Sequence, residues 1–500
     1  MNHGRALNVG ILWIVAAGSG ACSTGGGQSS DAGAVSGRGG SNAGSGGAAT
    51  AGEGGAGTAG IAGQGAGAGA GTGGRPAGSC TFDVDHMPSP AIGTVEIVTW
   101  TLDVADLADA RIDFGPSGAA LTMTAPVDLG EPLHRTLLLG LKGQKPYTFR
   151  IVARAGATTC TSADFSFTTG AVPGNAPNIT KTMPGAGAAK GFMVTTVGVD
   201  TSGKSRSQPD AYIFDTDGDV VWWSSSALDR SANGISRAHL SWDAQALWVM
   251  TSSNAKVLSI SMDGLTTTDY SNVIKGAHHD FAVLPDGGIT TMLRPISTSA
   301  PASIVEMKAD GTITTIVADL ATLYQANPSS SFDPNAIHYY PVDNSYTLSD
   351  REANLFVKLR RNGALVWQLG GSNPRGKSFT LVGLDQWRVN HGHHLTPDGR
   401  FLFFNNAGGV AGGFETARIL ELMLDETNGT ATKTWEYMFS GNAIALGDAE
   451  RLPNGNALVT DSLSGVMQEV DRAGTIVQSF TNTTFGYVDF RTSLYGPPPR

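Results

Sequence analysis

The sequence predicts an all-β protein: a small β-sandwich, then a six-bladed β-propeller filling the C-terminal two thirds. Three observations carry this. Pro285, Pro341, Pro397 and Pro453 recur with a period of 56 residues, and a fixed period of that length marks a repeat architecture. Six tight-turn pairs, Asp217-Gly218, Asp263-Gly264, Asp310-Gly311, Asn362-Gly363, Asn428-Gly429 and Ala473-Gly474, each separate two apolar stretches, as hairpins require. Ahead of them lie about ninety residues of short alternating strands divided by turns.

Residues 1–22 read as an export signal. Arg5 supplies a basic start, residues 7–17 an apolar run too short to span a membrane, and small residues come after it. The run ends in Ser19-Gly20-Ala21-Cys22, which resembles a bacterial lipobox with Ser19 where Leu is usual. The resemblance implies lipidation of Cys22, a membrane anchor, and an exported protein: periplasmic, or a lipoprotein of the outer membrane or cell surface. Simple cleavage near Ala21 is the alternative. With Cys22 consumed, Cys80 and Cys160 remain of three cysteines, an even count that predicts a disulfide in an oxidising compartment. Closing so long a loop contributes about 4 kcal/mol in the chain-entropy view.

Residues 23–78 are almost wholly Gly, Ala, Ser and Thr. Nothing there can bury a core, so the segment is a tether with a reach of roughly 40 Å. Residues 79–171 hold the sandwich. Val95-Glu96-Ile97-Val98-Thr99-Trp100, Arg111-Ile112-Asp113-Phe114 and Tyr147-Thr148-Phe149-Arg150-Ile151-Val152 alternate at period two. Leu139-Gly140-Leu141-Lys142 leading to Tyr147 resembles the tyrosine corner of fibronectin type III domains, and Phe165-Ser166-Phe167-Thr168-Thr169 resembles their closing strand. No His, Asp or Glu cluster marks this domain, which reads as a spacer or packing module.

Residues 172–500 hold the propeller. The Gly turns alternate with Pro-centred ones, such as Leu284-Pro285-Asp286-Gly287 and Thr396-Pro397-Asp398-Gly399. Two hairpins per period make four strands, which is one blade, and six blades of about 54 residues fill the segment. Inner strands of a propeller point into one channel. The residue six places before each repeat proline is His279, Asn335, His391 or Gly447, so three polar groups converge if that position faces the channel, and Gly leaves room. Alternatively such residues cap strand ends or bridge blades. Asp350-Arg351-Glu352 brings a further cation. Strict alternation turns His278, Asn390 and His394 away from this face and places His393 beside His391; His338 and His239 read as structural.

Composition narrows the chemistry. A net charge of −10 argues against nucleic acid as a partner. A ring of His and Arg does not suit a hard cation. For zinc, only His391-x-His393 offers a pair, and that is weak alone. No phosphate-cradling Gly loop and no G-x-S-x-G elbow occurs, and no cofactor is called for. Histidines with arginine suit a sulfuryl or phosphoryl group in transfer.

The propeller resembles the exported bacterial arylsulfotransferases, which use aryl sulfate esters instead of a nucleotide donor such as PAPS. The resemblance rests on His279-Asp280-Phe281-x-Val283-Leu284-Pro285-Asp286-Gly287, Asn335-Ala336-Ile337-x-Tyr339-x-Pro341, Ser349-Asp350-Arg351, Leu365-Val366-Trp367-Gln368-Leu369-Gly370-Gly371, His391 with Pro397-Asp398-Gly399, and Ser493-Leu494-Tyr495-Gly496. It implies that His391 is transiently sulfated, and that His279 and Arg351 hold the sulfuryl and phenolic oxygens. It implies a ping-pong transfer from an aryl sulfate donor to an acceptor phenol. Asn335 matches the Asn of a His-x-Asn pattern whose histidine is here Asp333. An ionised acid at that place cannot donate to a sulfate and repels it. A non-catalytic, surface-tethered binding propeller and a sulfate or phosphate ester hydrolase are the rival readings.

Overall fold

The computed structural model describes residues 80–498 other than 184, 198–210, 225–235, 252–255, 295–300, 326–331, 385, 407–415, 440–442 and 444–445. The export signal, Cys22 and the tether lie outside the described residues. Among those described the only helical elements are two short 3-10 turns, and no helix is long and apolar enough to cross a membrane. The fold is all-β.

The N-terminal part is a sandwich. One sheet joins Phe82–Pro88, Glu96–Leu102 and Thr136–Leu138; the other joins Met123–Pro126, Asp109–Pro116, Pro146–Ala155 and Thr158–Thr161, with Phe165–Thr168 also on Pro146–Ala155. Alternating residues of both sheets meet in a core around Trp100, Phe114, Phe149 and Ile151. The Tyr147 hydroxyl accepts the Lys142 N–H at 2.9 Å, the tyrosine-corner bond expected from the sequence. Cys80 and Cys160 form the expected disulfide.

Six sheets come next, antiparallel but for an added parallel edge strand in the fourth and fifth, giving a β-propeller-like arrangement. Their inner strands are, in order, Val488–Arg491, Ser236–Leu240, Ala277–Val283, Pro334–Tyr340, Asn390–Leu395 and Asp448–Arg451. Each touches the next, and the last touches the first, so six strands enclose one channel. The chain closes this ring twice. Its last strand, Val488–Arg491, completes the sheet begun by Phe192–Thr196, and Thr180–Thr182 adds an outer strand to the sixth sheet. All six sequence-identified Gly turns connect third and fourth strands. In each turn one residue shows the reason: a glycine at positive φ, such as Gly363 at 84°, a conformation other residues adopt at a cost. The Pro-centred turns join first and second strands.

The inner strands run in parallel. Asn335 Nδ2 donates to Asn390 O near one end of two neighbours, and the Tyr340 hydroxyl to Thr396 O near the other. The channel therefore has two mouths, one where the inner strands begin and one at the Pro-centred turns. The sandwich is tied to the ring by Tyr495, whose hydroxyl accepts from Leu139 N–H and donates to Leu137 O. Lys142 also reaches Asp217 and Asp219, each at 2.7 Å.

Strict strand alternation fails at two places where the sequence relied on it. The ladder skips between His278 and Phe281, and again between His391 and His393. An extra residue in a bulge flips the facing of the residues beyond it. His279, at φ 59°, consequently turns back on His278, and the two rings lie 3.7 Å apart by centroid. His393 does not join His391. It packs instead on Phe356, Phe401 and His338 and bonds the Thr347 hydroxyl at 2.8 Å. Gly447 also differs from expectation. A Cβ there would lie 2.8 Å from the Phe404 ring, and its φ is 106°, so the glycine serves packing and backbone geometry and opens no space for a ligand.

Candidate active site

His391, His279, Arg351, Asn335 and Asp333 all lie where inner strands begin, and the first four of these come from the third, fourth and fifth sheets. His391 is 1% exposed and its Nδ1 lies 2.5 Å from Asn406 Oδ1. The orientation of that amide is fixed independently: Asn406 Nδ2 donates to Ala443 O at 2.8 Å and Leu446 O at 2.7 Å. Its oxygen must then accept, so the His391 proton sits on Nδ1 and the lone pair on Nε2. Burial, with the cation of Arg351 and the ring of His279 nearby, holds His391 down to about 3. The imidazole is neutral at ordinary pH, with its lone pair on Nε2.

His279 is likewise held to about 3, by burial and then by Arg294 and Arg351. Its Nδ1 lies 2.5 Å from His278 Nε2, and burial pushes His278 down as well. His278, set aside on alternation, is thus the residue that orients His279.

Arg351 does not stand free. Its Nη2 bonds Asp333 Oδ2 at 2.7 Å and Glu352 Oε1 at 2.8 Å, while its buried Nε has no partner among the described residues. Arg294 approaches the other oxygen of Asp333 at 3.4 Å. Asp333 is 8% exposed, and its N–H donates to Asp350 Oδ2, which also accepts from the Tyr324 hydroxyl at 2.7 Å. Burial, and the repulsion of Asp333, push Asp350 up to about 6. Asn335 spends its amide N–H on Asn390 O at 2.7 Å; it bridges two sheets and holds the strand that carries His391, the alternative left open from the sequence.

His278, His279 and Asp333 are close enough to hold one cation. Two guanidinium groups already address the Asp333 carboxylate, however, and a divalent ion would have to displace both. The arrangement does not suit a metal.

Sequence reasoning missed Asn406 and Arg294. Asn406 sits just past the strand Arg400–Asn405 and Arg294 just past Ile289–Leu293. With Asp350 they occupy one position of the 56-residue period, the signal that could have found both.

A family model of the arylsulfotransferases (ASST) matches residues 299–483, a span that holds Asp333, Asn335, Arg351, His391 and Asn406 but not His279. The match makes this stretch similar to that sulfotransferase family. No curated protein matches the chain by sequence. Among solved structures it is similar to TolB from Acinetobacter baumannii (12% identity, 70% of this chain and 79% of that chain, TM-score 0.40). It is also similar to virginiamycin B lyase from Staphylococcus aureus (10% identity, 80% and 99%, TM-score 0.34) and to periplasmic gluconolactonase from Pseudomonas aeruginosa (14%, 60% and 99%, TM-score 0.36). Likeness at this level says nothing about chemistry.

Proposed function

We propose that the protein is an aryl sulfotransferase that moves a sulfuryl group from a phenolic sulfate ester to an acceptor phenol through a sulfated His391. The observation that carries this is the tautomer of His391: Asn406 Oδ1 accepts the Nδ1–H, which leaves the lone pair on Nε2, and Arg351 and His279 act electrostatically on the ring. In the first half-reaction Nε2 attacks sulfur in line, the S–N bond forms, and the S–O bond to the aryl group breaks as phenolate leaves with the electron pair. Arg351 and His279 offset charge on the sulfuryl oxygens. In the second, the acceptor phenol gives its proton to His279, its oxygen attacks sulfur, and the S–N electron pair returns to Nε2.

The same reading makes the six sheets the blades of one propeller, and the sandwich a fibronectin type III-like module. It makes residues 1–22 an export signal ending at a lipidated Cys22, with the protein tethered in the cell envelope. The strand orders and the tyrosine-corner bond support the first two.

One observation favours a second reading, a binding propeller without turnover. Asp333 already occupies Arg351 and Arg294, the cations that would receive the sulfuryl oxygens. The test is incubation with 4-nitrophenyl sulfate and phenol. Release of 4-nitrophenolate by the wild type and its loss in His391→Ala supports the transferase; no release from the wild type leaves the binding reading.

A further inference from the structure

A cavity of about 490 Å³ lies away from His391. It opens at the other mouth, among the Pro-centred turns, and all six inner strands line it. Its chemistry differs from that of the site above. Asp448, Glu450 and Asp489 bring three carboxyls against the two guanidiniums of Arg237 and Arg491. Arg237 is moreover taken, bonded to Asp448 and 3.3 Å from Asp280. Asp489 Oδ2 has its nearest partners at 3.5 Å (His239 Nδ1) and 4.0 Å (Arg491 Nη1), longer than charge-assisted bonds. Glu450 uses one oxygen to accept the Phe490 N–H at 3.0 Å. His393, fully buried in the wall, has an unpartnered Nδ1. The rim is aromatic and apolar, with Trp242 and Tyr339 edge to face at 5.8 Å beside Pro341 and Pro397.

We infer that this mouth is a second binding site, for an amphiphilic organic ammonium whose cationic head lies between Glu450 and Asp489 and whose ring-sized body rests on Trp242 and Tyr339. The head supplies the positive charge that neighbouring carboxyls lack, and the aromatic rim takes the apolar body. Burial, and then the charges of Asp489 and Asp448, keep Glu450 raised well above the usual carboxylate range. No histidine of the proposed transfer reaction is needed.

Calorimetry on the full chain tests this with three probes of one shape: 2-phenylethylamine, 2-phenylethanol and 3-phenylpropionate. The expected result is one bound amine per chain, with the alcohol and the acid weaker by about tenfold or more. Glu450→Gln and Asp489→Asn each weaken the amine by about tenfold, and His391→Ala leaves it unchanged, which separates this site from the transferase reading. Equal or tighter binding of the alcohol or acid to the wild type, unchanged affinity in both carboxyl variants, or no amine binding overturns the inference.

Discussion

The two ends of the channel are built by the same strands and hold opposite chemistry. Where the strands begin, neutral imidazoles and two arginines surround one buried carboxylate, and Asn406 fixes a nucleophilic nitrogen. Further along, carboxyls outnumber guanidiniums in the wall of a cavity that runs on to an aromatic rim at the Pro-centred turns. A repeat scaffold thus sets direction and spacing, while each level along the strands is free to carry its own charge. Level on the strand, not blade number, decides what a residue can do.

The sharpest way to break this comparison is to disable one end and assay the other. His391→Ala should lower 4-nitrophenolate release by about a thousandfold or more, while Glu450→Gln and Asp489→Asn leave it within about twofold. A large loss in the carboxyl variants would mean that the two ends act as one site.

Asn406 should come next. Asn406→Ala removes the acceptor that fixes the tautomer and should cost about a hundredfold in kcat with a smaller change in KM. Asn406→Asp, which keeps an acceptor oxygen, should restore part of it. Equal loss in both variants would reduce Asn406 to a packing residue.

A smaller effect of opposite sign is expected at Asp333. Asp333→Asn removes the charge that occupies Arg351 and Arg294, and steady-state turnover of 4-nitrophenyl sulfate should rise by up to about tenfold. A fall instead would make the Asp333–Arg351 pair part of the working site.

The fold's dependence on pH comes from its buried imidazoles. Burial holds His391, His279 and His393 to about 3 and His394 to about 4, all below the ordinary 6.5. Between about pH 3 and 6.5 the unfolded chain binds more protons than the folded one. The stability is fully present above 6.5 and is lost as pH falls through that window. Urea midpoints across pH 4–7 should decline steadily toward acid. Single-turnover release of phenolate, by contrast, should show no acid limb near 6.5, because His391 remains unprotonated; a limb there would contradict the buried, neutral nucleophile.

Much of this was legible in the sequence because turns and periods are local. Gly218, Gly264, Gly311, Gly363, Gly429 and Gly474 announce their hairpins through a backbone conformation that glycine adopts freely, and all take it. The 56-residue spacing placed His391, His279 and Asn335 at one level of the channel. What escaped depends on bulges and on partners distant in sequence. One skipped residue at Gly392 separates His393 from His391, and the turn at His279 brings in His278; a period-two reading cannot see either. Asn406 shares a repeat position with Arg294 and Asp350, but their residue types differ, so the period alone does not tell which partner each one takes. The second mouth escaped for a similar reason: Arg237, Glu450 and Asp489 come from three different strands at levels that no repeated motif marks.

The central claim is that His391 carries the sulfuryl group between donor and acceptor. Peptide mass spectrometry after brief exposure to 4-nitrophenyl sulfate, with no acceptor phenol, tests it most directly. The account predicts the added mass of one SO3 on the peptide bearing His391, localised to that ring and discharged when phenol is added. An unmodified His391 in a protein that has released 4-nitrophenolate, or the sulfuryl group on another residue, would contradict it.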